Sequence, residues 1–101
     1  MTRWDPMTED QLLIEVERLL TLFKWRWHHV RRSDRAIQQG DQGWPDIFAT
    51  RGTVAIAAEL KSDTGRYRPG QQEWLDALKA AGVRTYTWRP SDLEQIVEVL
   101  G

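Results

Sequence analysis

Gly43-Trp44-Pro45-Asp46 and, after twelve intervening residues, Glu59-Leu60-Lys61 are the stretches on which the fold turns. The residues leading to the second stretch, Thr53-Val54-Ala55-Ile56-Ala57-Ala58, are uncharged and mostly apolar, the composition of a buried strand. Side chains alternate along a strand, so Glu59 and Lys61 share one face and Leu60 takes the other. Placing an acid and a lysine at the end of a buried strand costs free energy unless they are paired or hold a ligand. Twelve residues accommodate two strands and a tight turn, so an antiparallel hairpin carries Asp46 to the neighbourhood of Glu59.

Two carboxylates converging on one point are what a divalent cation needs if it is to offset phosphate charge and lower the pKa of a bound water. Asp46 and Glu59 supply them, the backbone carbonyl of Leu60 is available to complete the set, and so sparse an oxygen set suits Mg²⁺ better than Zn²⁺. Lys61, beside that water, is placed to orient a nucleophile and offset charge in a transition state. An acid and a lysine two apart are also common in surface strands, where they are two solvated charges. Pairing of Glu59 and Lys61 with each other or with Arg51 is the purely structural alternative.

Outward from this centre, Thr8 followed by Glu9-Asp10-Gln11 reads as a capped helix start, and Leu12, Val16, Leu19, Leu20 and Phe23 recur at helical spacing to about Phe23. Trp25 to Val30 forms a first strand whose tryptophans pack against that helix. Pro45 to Thr50 is the second strand, Arg51-Gly52 the turn, and Val54 to Lys61 the third. Pro69-Gly70-Gln71-Gln72-Glu73 opens a second helix with proline in its first turn, with Trp74, Leu75 and Leu78 inward and Gly82 at its end. Gln71 or Gln72 is placed to point back at the sheet. Val83 to Trp88 alternates as a fourth strand, and Pro90-Ser91-Asp92 begins a helix with Leu93, Ile96, Val97 and Leu100 inward. The class is α/β, ordered helix, three strands, helix, strand, helix.

Between Val30 and Gly43 the apolar pattern disappears. Arg31, Arg32 and Arg35 lie there, the densest basic segment of the chain, and are the first candidates for gripping a DNA backbone. Arg66 and Arg68, in the loop after the third strand, extend that set. His28 and His29 are adjacent on a strand, so they point to opposite faces and do not readily bind one ion; one of them is a candidate for touching DNA or the pocket.

The 101 residues predict a single domain spanning 1–101 with a modest core. A formal net charge of −1 excludes an extensive basic coat but permits a local basic face. The absence of cysteine removes thiolate metal sites and disulfides and fits a reducing compartment. With no membrane-length apolar run and no hydrophobic signal core at the N-terminus, the expectation is a cytoplasmic protein without a membrane partner.

Thr8-Glu9, Gly43-Trp44-Pro45-Asp46, Glu59-Leu60-Lys61-Ser62, Gly65-Arg66 leading to Pro69-Gly70-Gln71-Gln72-Glu73-Trp74-Leu75, and Trp88-Arg89-Pro90-Ser91-Asp92-Leu93 together resemble a stand-alone VRR-NUC domain of the PD-(D/E)XK nuclease superfamily, of the compact kind found in phages and bacteria. The resemblance implies a restriction-endonuclease-like fold with a small mixed sheet flanked by helices. It implies a structure-selective DNA endonuclease using Mg²⁺ or Mn²⁺ and leaving a 5′-phosphate. In that family the residues matching Asp46 and Glu59 ligate metal, the Leu60 carbonyl assists, Lys61 positions the water and Gln71 supports the site. An acid of the first helix also contributes, for which Glu9 is in register and Glu15 the fallback, since Leu13 stands where the family often has Gln or Glu. Similarity to Holliday junction resolvases implies a homodimer acting on branched DNA, four-way junctions first, with flap, nicking or restriction-like cutting and a catalytically silent DNA-binding module as alternatives.

Overall fold

The structure, a computed structural model, describes residues 7–30 and 39–101. Three α-helices and one four-stranded sheet follow the expected order: α1 (Glu9–Leu22), β1 (Arg26–His29), β2 (Ile47–Arg51), β3 (Val54–Leu60), α2 (Gln71–Ala80), β4 (Arg84–Trp88) and, after a 3₁₀ turn at Pro90–Asp92, α3 (Leu93–Leu100). The strands lie in the order β1-β2-β3-β4; the first three are antiparallel, and β4 is parallel to β3, joined to it through α2. The sheet is therefore mixed, as a helix-bearing crossover after two hairpin-type pairings requires.

The start of α1 is a full capping box: Thr8 accepts from the Gln11 amide and the Gln11 side chain accepts from the Thr8 amide. Its end is one that sequence patterning missed. Lys24, not a glycine, takes the left-handed conformation (φ 65°), with Lys24 N–H donating to Thr21 and Trp25 N–H to Leu20, the paired bonds of a Schellman end. That turn delivers Trp25 into the core ahead of the strand, so β1 starts at Arg26. Gly82 (φ 94°) ends α2 the same way, with amides of Gly82 and Val83 bonded to Lys79 and Leu78.

The main core lies on one face of the sheet. Leu12, Val16, Leu19 and Leu20 of α1 and Ile96 and Leu100 of α3 close over Ile47, Ala49, Ile56, Ala58, Leu60 and Trp88. The opposite face is covered by α2 and by an aromatic group: Trp44 stacks on Phe48 (5.7 Å between centroids) and meets Trp74 edge-on (4.9 Å).

Several boundaries depart from the sequence-based expectations. The turn between β2 and β3 is Gly52-Thr53, with Gly52 at φ 61° and Arg51 still paired to Val54. Pro69 stands outside α2, because Gly70, left-handed at φ 88°, is the residue that turns the chain into the helix. Val97 is 40% exposed and Val99 packs against the core in its place. Pro45 and Asp46 precede β2 instead of opening it, for a reason that lies in the site.

Candidate active site

Four polar side chains are buried among the described residues: Asp46 (8% exposed), Glu59 (1%), Lys61 (5%) and Gln71 (1%). All four were singled out by sequence; Glu59, Lys61 and Gln71 meet beside the end of the β2–β3 hairpin, and Asp46 is held at the same end through the Leu60 amide. In the register Ile47↔Ala58, residue 45 would face Leu60. There the backbone ladder gives way to a side chain: Asp46 Oδ2 accepts the Leu60 amide at 2.9 Å. The strand ends at Ile47 because the carboxylate has replaced the next backbone acceptor, which fixes Asp46 against the residue following Glu59. On the far side of β3, the Lys61 amide bonds the Trp88 carbonyl, so both neighbouring strands hold the Glu59-Leu60-Lys61 segment.

Glu59 faces α2. Gln71 donates from Nε2 to Glu59 Oε1 at 2.9 Å, and Lys61 Nζ lies 3.6 Å from the same oxygen. The other end of the Gln71 amide accepts the Arg68 backbone N–H at 2.7 Å. Gln71 is thus the glutamine directed at the sheet, whereas Gln72 bonds Asp76 on the helix surface. Arg51 takes no part: its guanidinium donates to the carbonyls of Phe23, Leu100 and Gly101 and lies 4.4 Å over the Trp25 ring. The Arg51 pairing weighed from sequence is therefore replaced by a role at helix ends.

A cleft of about 800 Å³ opens beside this cluster, between α1 and β1, and Asp46, Leu60, Glu9, His29 and Arg68 are among its lining. Glu59 and Lys61 are not part of that lining. Of the two acids considered on α1, Glu9 is in the cleft, whereas Glu15 is hydrogen-bonded to Arg18, whose guanidinium holds its carboxyl below the usual carboxylate range. His29 is the histidine that reaches the pocket: its Nδ1 lies 2.9 Å from the Asp46 carbonyl oxygen, and since a carbonyl only accepts, Nδ1 carries the proton. His28 is exposed on the other face. Arg66 is exposed and outside the cleft lining, and Arg31, Arg32 and Arg35 lie outside the described residues.

Two glycines lock this end together. Gly43 (φ 102°) lies so close to the start of α2 that a Cβ there would sit 2.3 Å from the Gly70 carbonyl carbon and 2.6 Å from the Gln71 nitrogen. A Cβ on Gly70 would sit 2.2 Å from the Gln42 carbonyl oxygen. Arg89, not singled out as a site residue, shapes the loop after β3 by donating to the Ser62 and Gly65 carbonyls at 2.6 and 2.8 Å.

Among the described residues no three His, Cys, Asp or Glu side chains are grouped as a metal cage. Two carboxylates and a main-chain carbonyl are the incomplete, all-oxygen set that a hard cation retaining several waters accepts, so the donor chemistry fits Mg²⁺ or Mn²⁺ and not a thiolate- or imidazole-preferring ion.

A mixed sheet, flanking helices and a buried acid–acid–lysine cluster at the hairpin end define a nuclease-type α/β domain. The VRR-NUC domain family matches residues 4–91, and the chain belongs to that family. Solved structures share the fold, among them two VRR_NUC domain structures. One, a VRR_NUC domain protein, has a TM-score of 0.64 at 21% identity, covering 96% of this chain and 93% of that one. The other, a VRR_NUC domain, has a TM-score of 0.62 at 14% identity, covering 90% and 96%. A search of curated proteins finds no significant match.

Proposed function

We propose that this protein is a divalent-metal-dependent, structure-selective DNA endonuclease that cuts branched DNA, four-way junctions first, as a homodimer. The observation that carries the catalytic part is the burial at the hairpin end, beside an open cleft, of Asp46, tied to the Leu60 amide, and of Glu59 and Lys61, ion-paired at 3.6 Å. Three ionisable groups are not kept out of water in a small domain unless they serve one another or a ligand. Membership in the VRR-NUC family supports the nuclease class.

Mg²⁺ or Mn²⁺, when bound, supplies charge to a phosphodiester and acidifies a water. Asp46 and Glu59 would hold that ion through carboxylate oxygens, with the Leu60 carbonyl as a third donor. Lys61, already 3.6 Å from Glu59, keeps an ammonium group where it orients the attacking water and offsets charge on the phosphate. Gln71 fixes the Glu59 carboxylate, and Glu9, across the cleft from Asp46, bears on the water or the ion from the α1 side. Arg68 at the cleft, Arg66 nearby and the basic segment with Arg31, Arg32 and Arg35 grip phosphates. A four-way junction offers two symmetric strands, which a two-fold dimer meets with one site each.

The test is cleavage of labelled four-way junction, flap, splayed and linear duplexes with Mg²⁺, Mn²⁺ or chelator. The expected result is metal-dependent cutting strongest on the junction, lost by at least about a hundredfold in Asp46→Ala while junction binding persists. Undiminished cutting by Asp46→Ala removes the site assignment; a flap preference removes the junction. Sedimentation at twice the chain mass checks the dimer.

A further inference from the structure

The cleft extends away from Asp46 along α1 and β1, and its chemistry changes on the way. Leu13 and Ile14 of α1 and Trp27 of β1 give it an apolar interior, with Ile14 65% exposed, and Glu17 stands at its far end. Trp27 and His29 are two apart on β1 and so present their rings on the same face. Both rings are already fixed: the Trp27 indole donates to Thr21 Oγ1 at 3.1 Å, and the His29 ring is held on the Asp46 carbonyl. Aromatic faces held before binding lose little entropy when something stacks on them.

The charges say which part of a nucleotide belongs here. Among the described residues of the cleft lining, Glu9, Asp10, Glu17 and Asp46 stand against the guanidinium of Arg68, so along the α1 side a phosphate meets acids. A neutral planar group suffers no such repulsion. Among the described residues Glu17 is in no ion pair, which leaves its carboxylate to accept from a ligand.

We infer that the α1–β1 cleft is a subsite for one unstacked nucleobase next to the scissile phosphate, stacked on Trp27 and His29 with an exocyclic amine donated to Glu17. The inference rests on the nuclease reading of the adjoining site. Cytosine, adenine and guanine carry that amine on the pairing edge, whereas thymine has none and flanks its single N–H with carbonyls that a carboxylate repels. Cutting is then favoured where the strand is already unpaired and the displaced base is not thymine.

The experiment follows the Trp27 indole N–H and His29 ring C–H by NMR while single-stranded dC, dA or dT tetranucleotides are added in Ca²⁺, with cleavage in Mg²⁺ measured in parallel. Saturable shifts of both groups are expected with dC and dA, about tenfold weaker binding with dT, and loss of that preference in Glu17→Ala, a solvent-side helix change that leaves the fold intact. Unmoved Trp27 and His29 signals, or dT binding as tightly as dC and dA, overturn the subsite. Cutting without Trp27 shifts sinks the base site and spares the nuclease; Trp27 shifts without cutting in any metal spare the base site and sink the nuclease.

Discussion

Gln71 uses both ends of one amide on the protein, donating to Glu59 and accepting from the Arg68 backbone. Neither bond survives if the amide is flipped, so the side chain has one orientation, and through it Glu59 does as well. A carboxylate that is 1% exposed depends on such donors, because an ionised acid out of water is costly without them. Gln71→Leu is expected to lower stability by about 2 kcal/mol, as a buried hydrogen bond to a charged group is lost, and to reduce cutting. Urea unfolding with parallel cleavage assays checks both effects. Lys61→Met removes the cation from a buried pair and is expected to cost about 3 kcal/mol, more than a surface pair could. A loss within a few tenths would mean that the ammonium group contributes nothing to holding Glu59.

At the scale of elements, the site is a junction between the loop preceding β2 and the first turn of α2. Gly43 and Gly70 let the two backbones touch, and the positive φ of each adds a second reason against a side chain. Gly70→Ala meets a left-handed backbone and a main-chain oxygen 2.2 Å from its Cβ, so a loss of about 3 kcal/mol or more is expected. Because Gln71 is the next residue, cutting should fall further than the lost stability accounts for. Thermal unfolding, with activity measured well below the transition, separates the two. A Gly70→Ala protein as stable and active as the parent would show that the loop and α2 are not held together here.

Across the whole molecule, Arg51 gathers what the sequence keeps far apart. Its guanidinium reaches the carbonyl of Phe23 at the end of α1 and those of Leu100 and Gly101 at the end of α3, while the Trp25 indole bonds the same Leu100 carbonyl. A cation at two helix C-termini meets unsatisfied carbonyls and the negative ends of both dipoles. Arg51→Met is expected to cost about 2 kcal/mol through those bonds, read as a lower urea midpoint at unchanged slope, with cleavage per folded molecule unaltered because Arg51 sits away from the site. What the sequence determined alone was whatever depends on neighbours a few residues apart: the Thr8–Gln11 box, the apolar stripe of α1, the alternation setting Glu59 and Lys61 on one face, and the glycine ending α2. The spacing of Asp46 and Glu59 also carried the hairpin, since a short connection leaves few geometries. Tertiary structure decided the rest. That Asp46 takes the Leu60 amide, that Gly43 faces Gly70, that His29 and Glu9 share a cleft with Asp46, and that Arg51 serves helix ends and not Glu59 all depend on segments far apart in sequence. Such contacts leave no periodicity in the chain, because they are fixed only when the sheet and its covering helices bring distant backbones within hydrogen-bonding reach.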